Sequence, residues 1–433
     1  MINKISTSGY LDRFGNTFSA NISRDKNKLE SFYIGERISP LNLKDYIIPA
    51  LPVEFHLHGI GGYDFSNFES INLEDINEHL MKEGVLGVLA IFLPQSKLES
   101  FMVFMNEYSD LRKQNKLTHI VGISLEGPLL TSFGGTPQEG TWAPTKQEWV
   151  KIAQCGEFGL KYIVLSPDAM LKSSHLVNKL MEENINMEWI ISTLVEAGVK
   201  PSLGHFQKND PYASSECVKE VIKIAHRYNP SPNAVLTDHL FNDMPCKIPY
   251  AFRTPESRLM RSKVLKELEI DKWNLDNIAE IIGEVPATII KAAHEGLLKI
   301  NMNFDGEHVD LEICKKIVEL VGSKGIIAMT DRTDAKTLGY QSLNTREGSS
   351  LVYQATGYVA AGTLSIDQQM KNIRSLGFDE SKVWDLCSLV ALNVLDLSTD
   401  LFKVIGKETY SYINQDGKRF QLESTPFAQF VNS

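Results

Sequence analysis

Six side chains in this sequence are of the types that metal-assisted hydrolysis needs, and each sits at or near the end of a short apolar run. His56 and His58 are one residue apart, so on a strand both imidazoles leave the same face. Imidazole is a preferred zinc ligand, although two partly buried histidines bonded to backbone would look the same in sequence. His205 follows Gly204, His239 closes the run from Ala234, and Glu126 closes the run from His119. Two ring nitrogens and one carboxylate form a three-ligand set that leaves a tetrahedral ion an open position for water. Asp331 ends the run Ile326-Ile327-Ala328-Met329-Thr330-Asp331. A carboxylate there can take a proton from such a water and pass it to a leaving group, and the same Thr-Asp pair also suits a helix cap.

Residues so far apart in sequence need a scaffold to bring them together. From Ile47 onward, short apolar runs alternate with longer amphipathic stretches, the pattern of repeated strand–helix units around a parallel sheet. The runs are VEFHLHG from Val53, VLGVLAIFLP from Val85, HIVGISLEGP from His119, LKYIVLSPD from Leu160, VKPSLGHF from Val199, AVLTDHLFN from Ala234, LKINMNFDGEH from Leu298 and GIIAMTD from Gly325. Helix patterns such as INLEDINEHLMKEG, which stops on a glycine, lie between them. Almost every run stays apolar until its last positions and then ends in His, Glu, Asp or Asn. In a (β/α)8 TIM barrel the carboxyl ends of all strands line one mouth, so His56, His58, Glu126, His205, His239 and Asp331 would converge there.

The expected fold class is therefore α/β, a (β/α)8 barrel over residues 51–397. A helical insertion beside the mouth is expected at about 254–296. The first 50 residues are polar, with one strand candidate at 31–34, and ETYSYINQDGKRFQLE reads as a hairpin turning near Asp416-Gly417. Residues 1–50 and 398–433 are expected to form a small β domain together.

Composition narrows the function classes. With 433 residues, 43% of them hydrophobic and 23% charged, the chain is neither mostly disordered nor collagen-like. Fifty-four acidic against 44 basic residues give a net charge of -10, which argues against nucleic acid or an anionic membrane as a main partner. The five cysteines, Cys155, Cys217, Cys246, Cys314 and Cys387, form no CxxC pair, so neither a disulfide framework nor a zinc knuckle is expected. MINKISTSGYLDRFGN lacks the apolar run of a signal peptide, and no stretch of about 18 uncharged apolar residues follows. A soluble, cytoplasmic protein is the expectation.

From about Ile47 to Asp396 the chain resembles the N-acetylglucosamine-6-phosphate deacetylases of the amidohydrolase superfamily. The resemblance lies in His56-Leu57-His58-Gly59 with Gly61-Gly62, Leu125-Glu126-Gly127-Pro128, Gly204-His205, Asp238-His239-Leu240-Phe241-Asn242-Asp243-Met244, Asp305-Gly306-Glu307-His308-Val309-Asp310 and Met329-Thr330-Asp331. It implies a metal-bound hydroxide attacking an acetamide carbonyl, with Asp331 carrying the proton to the departing amine. It further implies one or two divalent ions on Glu126, His205, His239, His56 and His58, with zinc expected first and iron or others as alternatives. Phe241, Asn242 and His308 would contact an N-acetylated amino sugar phosphate, placing the protein in amino sugar metabolism, and a homodimer is implied as well.

Several positions depart from the family's pattern. Trp142 stands in Gly140-Thr141-Trp142-Ala143-Pro144 where a histidine near the substrate is usual; it could stack on a sugar or simply pack the loop. Tyr250 occupies the place of the phosphate-binding arginine, with Arg253 three residues later and close enough in sequence to add charge toward a substrate phosphate; Phe206 replaces a small hydroxyl residue, and Asp238 precedes His239. Two other readings therefore stand beside the deacetylase. One is an amidohydrolase for an unphosphorylated N-acyl sugar or a natural-product intermediate, and the other is a non-catalytic sugar-phosphate binding protein.

Overall fold

A computed structural model of the protein describes residues 4–11, 17–25, 28–34, 42–48, 50–397, 411–413 and 418–421. The amino-terminal region carries four strands, β1 (Lys4–Leu11), β2 (Thr17–Asp25), β3 (Lys28–Ile34) and β4 (Asn42–Ile48). Only the segment at 31–34 is visible as a strand in the sequence. KISTSGYL lacks sustained apolar alternation and TFSANISRD alternates only through Phe18, Ala20 and Ile22, so what defines these strands is ladder pairing with neighbours: β1 runs antiparallel to β2 and parallel to β4.

The eight apolar runs each supply one barrel strand: β5 (Val53–Leu57), β6 (Leu86–Ile91), β7 (Ile120–Glu126), β8 (Leu160–Leu165), β9 (Lys200–Leu203), β10 (Leu236–His239), β11 (Lys299–Met302) and β12 (Ile326–Ala328). They pair in parallel in chain order, and a parallel bridge between Phe55 and Met329 joins the last strand to the first. The result is the (β/α)8 barrel expected from the sequence. Each strand is buried along nearly its whole length because helices cover the outside and side chains fill the inside. The helix Leu73–Glu83 shows the local logic. Asn72 caps it by accepting the Glu74 and Asp75 N–H groups, Gly84 ends it at φ 66°, and Leu73, Ile76 and Leu80 form its buried face. A Cβ on Gly87 of β6 would stand 2.8 Å from Leu80 Cδ1, so that glycine lets helix and strand touch.

Between β10 and β11 the helix Glu284–His294 is the regular barrel helix, with Val285, Ile289 and Ile290 buried. The additional helices are Pro255–Glu267 and Ile278–Ile282. The first has no buried residue and is pinned by Arg261, whose Nη2 donates to Asp310 Oδ1 at 2.9 Å. The sequence gives no warning of a three-stranded antiparallel sheet after the eighth strand, β13 (Asn344–Thr345), β14 (Leu351–Tyr353) and β15 (Val359–Gly362). Its strands are too short for an alternation pattern. Finally β16 (Ser411–Ile413) and β17 (Arg419–Gln421) form an antiparallel pair, and β16 lies against β4, giving a six-stranded sheet from both ends of the chain. The hairpin turn at Asp416-Gly417 falls outside the described residues. Among those residues, no helix is long and apolar enough to cross a membrane.

Phe55 is fully buried beside the strand junction and stacks on Tyr162 with centroids 5.0 Å apart. Phe55→Ala is expected to destabilise the protein by about 3–5 kcal/mol in urea unfolding, and a loss under about 1 kcal/mol would mean that the junction is not tightly packed.

Candidate metal centre and active site

The chemistry-bearing residues sit where the strands end. His56 lies in β5 and His58 just beyond it, Glu126 closes β7, and His239 closes β10. His205 and Asp331 follow the ends of β9 and β12. Three of them have left-handed backbones, His56 at φ 62°, His205 at φ 53° and Asp331 at φ 49°. A non-glycine residue there costs on the order of 1–3 kcal/mol, and such strain gathers at functional sites. The turn away from strand geometry aims these side chains into the mouth instead of into the barrel wall.

Glu126 is the hub. Its Oε1 is 2.8 Å from His205 Nε2, and its Oε2 is 3.0 Å from His56 Nε2 and 3.1 Å from His58 Nε2. All four side chains are at most 4% exposed. Two donors bound to one ion at about 2.0–2.2 Å stand about 2.8–3.5 Å apart, so these separations fit ligands of a shared cation. Hydrogen-bond alignment supports the fit: His58 Nε2 is 3.1 Å from both Glu126 Oε2 and Asp331 Oδ1, yet makes a well-directed bond to neither. Two donor groups result, one of Glu126, His205, His239 and Asp238 and the other of Glu126, His56 and His58. Glu126 belongs to both and offers a different oxygen to His205 than to the His56–His58 pair, as a carboxylate between two ions would.

The electrostatics point the same way. Burial alone would raise the Glu126 pKa, but hydrogen bonds from His205 and His56 and the close approach of the His58 imidazole outweigh it and hold the carboxyl well below its ordinary value. Burial would lower His58, whereas Asp331 and Glu126 push it up to about 10. His205 is likewise held well above an ordinary histidine, against burial, by Asp238, Asp243 and Glu126. Protons thus occupy places that a divalent ion would take over on binding.

A cavity of about 240 Å³ opens on this cluster, and its walls include Glu126, His205, His239 and Asp331 together with Asn242, Arg253 and His308. His56 and His58 lie behind it. Phe241 is fully buried and left-handed at φ 75°, its ring stacked on Tyr250 at 5.7 Å. Trp142 does not line the cavity; its indole N–H donates to the Leu93 carbonyl at 2.8 Å and its ring belongs to the main apolar core, so here it packs the loop.

Three polar residues in the site have no role in the sequence reading. Asp243 Oδ2 is 2.9 Å from His205 Nδ1, and its Oδ1 accepts from Ser132 Oγ at 2.7 Å and lies 3.2 Å from Lys208 Nζ. Lys208 also lines the cavity. Asp238 faces the histidines although strand alternation places it opposite its neighbour His239, which hides it from pattern reading. For Asp243 and Lys208, only closeness in sequence to His239 and His205 could have drawn notice.

The chain is thus an eight-stranded parallel barrel with a buried cluster of His, Glu and Asp at its strand ends. The solved structures it resembles include N-acetylglucosamine-6-phosphate deacetylase from Thermotoga maritima, 16% identical with TM-score 0.67 over 97% of each chain. Another is the Pasteurella multocida deacetylase, 14% identical with TM-score 0.66 over 96% of this chain and 97% of that one. A third is a mutant of the Mycobacterium smegmatis deacetylase in complex with N-acetyl-D-glucosamine-6-phosphate, 17% identical with TM-score 0.63 over 96% of each chain. No protein-family model and no curated protein matches the sequence. The chain therefore shares the fold of these deacetylases at low identity.

Because Asp243 fixes the ring of His205, Asp243→Asn is expected to weaken divalent-ion binding by about 10–100-fold, measured by titration calorimetry on chelator-stripped protein. Wild-type affinity in the variant would remove Asp243 from the site.

Proposed function

We propose that the protein is a metal-dependent amide hydrolase that removes the acetyl group from an N-acetylated amino sugar, with N-acetylglucosamine 6-phosphate as the first candidate substrate. One observation carries this reading: a single small cavity is lined both by Glu126, His205, His239 and Asp331 and by Asn242, Arg253, His308 and Lys208. The first set suits hydrolysis and the second suits an anionic, hydroxyl-rich ligand. The likeness of the fold to deacetylases supports it.

Glu126, His205 and His239 would hold a divalent ion, and His56 and His58 with Glu126 a second; such an ion would supply Lewis-acid polarisation of the amide carbonyl and would lower the pKa of water. Asp331 is steered between two imidazoles, its Oδ1 3.1 Å from His58 Nε2 and its Oδ2 3.5 Å from His308 Nε2. From there it takes the proton of the attacking water and gives it to the nitrogen of the departing amine, so that water and amide become acetate and a free amino sugar. His308 Nδ1 is bound to Asp305 Oδ2 at 2.5 Å; against burial, Asp305 holds the His308 pKa above the ordinary histidine value and favours a cationic imidazole toward an anionic substituent.

A second substrate reading has its own observation. Arg253 Nε donates to the Glu307 carbonyl at 2.9 Å, and Nη2 donates to Asn242 Oδ1 and the His308 carbonyl, each at 3.0 Å. With these nitrogens engaged, Arg253 cannot grip a phosphate bidentately without giving up protein bonds, which favours an unphosphorylated N-acyl sugar.

Acetate release from N-acetylglucosamine with and without its 6-phosphate separates the two. Charge-assisted contacts of roughly 1.5–3 kcal/mol each lead us to expect a preference of at least about 100-fold for the phosphate, reduced by Arg253→Ala and by His308→Ala. Equal efficiency selects the second reading. Asp331→Asn is expected to lower kcat by about 100-fold or more with metal content unchanged, and wild-type turnover would return Asp331 to the part of a cap.

A further inference from the structure

Asp238 stands in the same donor group as Glu126, His205 and His239 but has no part in the three-ligand set proposed above. It is fully buried, and neither of its oxygens makes a well-aligned hydrogen bond. A carboxylate in that condition is costly unless a positive charge meets it. Its Oδ2 is 3.2 Å from Nε2 of both His205 and His239, and its Oδ1 is 3.9 Å from His56 Nδ1. One donor atom each from Glu126, His205, Asp238 and His239 all lie within 4.8 Å of one another. Packing keeps the place open: a Cβ on Gly204 would stand 2.5 Å from Asp238 Cβ and 3.1 Å from Oδ2. Gly204 is not in the left-handed region, so room for this carboxylate, and not backbone freedom, is what glycine provides beside His205.

We infer that Asp238 is a fourth protein ligand of the ion, beside Glu126, His205 and His239, a reading that rests on the metal centre proposed above. Two carboxylates balance the charge of a divalent ion. Three protein ligands leave a tetrahedral ion one free position, and four fill it. Water or a substrate oxygen can then join only an ion that takes five or six ligands, and carboxylate oxygens are the harder donors that suit manganese. The site therefore suits an ion that can reach five or six ligands, Mn²⁺ and Fe²⁺ among them.

Full-length protein stripped by a chelator is titrated separately with Mn²⁺ and Zn²⁺, alongside Asp238→Asn, which keeps the shape and removes the charge. The variant is expected to bind Mn²⁺ at least about 10–100-fold more weakly, the loss known even for groups one step removed from a metal, and to lose less for Zn²⁺. Equal Mn²⁺ affinity in variant and wild type overturns the inference. A substitution at so buried a position can fail to fold, so a second readout uses the wild type: the anomalous signal of Mn²⁺ in soaked crystals. An Asp238 oxygen at about 2.0–2.2 Å from the ion supports the assignment, and an ion held by Glu126, His205 and His239 with Asp238 beyond about 3 Å overturns it. Wild-type protein that binds neither ion rejects the metal centre itself, an outcome distinct from one in which the ion binds and Asp238 stays away.

Discussion

Glu126 stays ionised at 4% exposure because three imidazoles are aimed at its two oxygens, and that condition requires β5, β7 and β9 to end at the same height on one side of a closed barrel. A buried carboxylate lacking such partners would take up a proton and lose its use as a ligand. The Phe55–Met329 bridge sets where β5 meets β12, and hence where His56 and His58 stand relative to Glu126 and Asp331. The large apolar core, in which Trp149, Phe101 and Tyr162 are fully buried, holds the strand ends in register around one acid.

Around that hub the polar groups form a layered support. Asp243 joins two loops, because it bonds both His205 and Ser132, and Asp305 does for His308 what Asp243 does for His205. Gly362 of β15 donates its N–H to the Asp331 carbonyl at 2.6 Å, so the small sheet after the eighth strand fixes the backbone of the proposed proton carrier. Such contacts keep side chains at the tolerance that chemistry at one atom demands.

Much of this was legible in the sequence, for physical reasons. Eight buried strands give eight apolar runs, and polar residues recurring at the ends of so many runs mark the mouth, because the carboxyl ends of all strands in a parallel barrel share one face. His56, His58, Glu126, His205, His239 and Asp331 come together as that reasoning requires. What escaped depends on pairing more than on pattern: β1 and β4 carry no sustained alternation, β2 alternates only through Phe18, Ala20 and Ile22, and β13, β14 and β15 are too short. Asp238 escaped because the alternation rule that finds His56 and His58 together sends it away from His239, and a local departure from regular strand geometry brings it back. Trp142 shows the converse, a residue singled out by its type whose N–H is spent on the backbone of Leu93.

The left-handed backbones of His56, His205 and Asp331 bear on how this chain can change. Each position would relax if it became glycine, and asparagine would tolerate the same conformation better than most residues. At His56 and His205 that relief would be outweighed by the loss of partners for the buried Glu126 carboxylate, so two of the strained conformations and the ionised hub they serve can only be given up together.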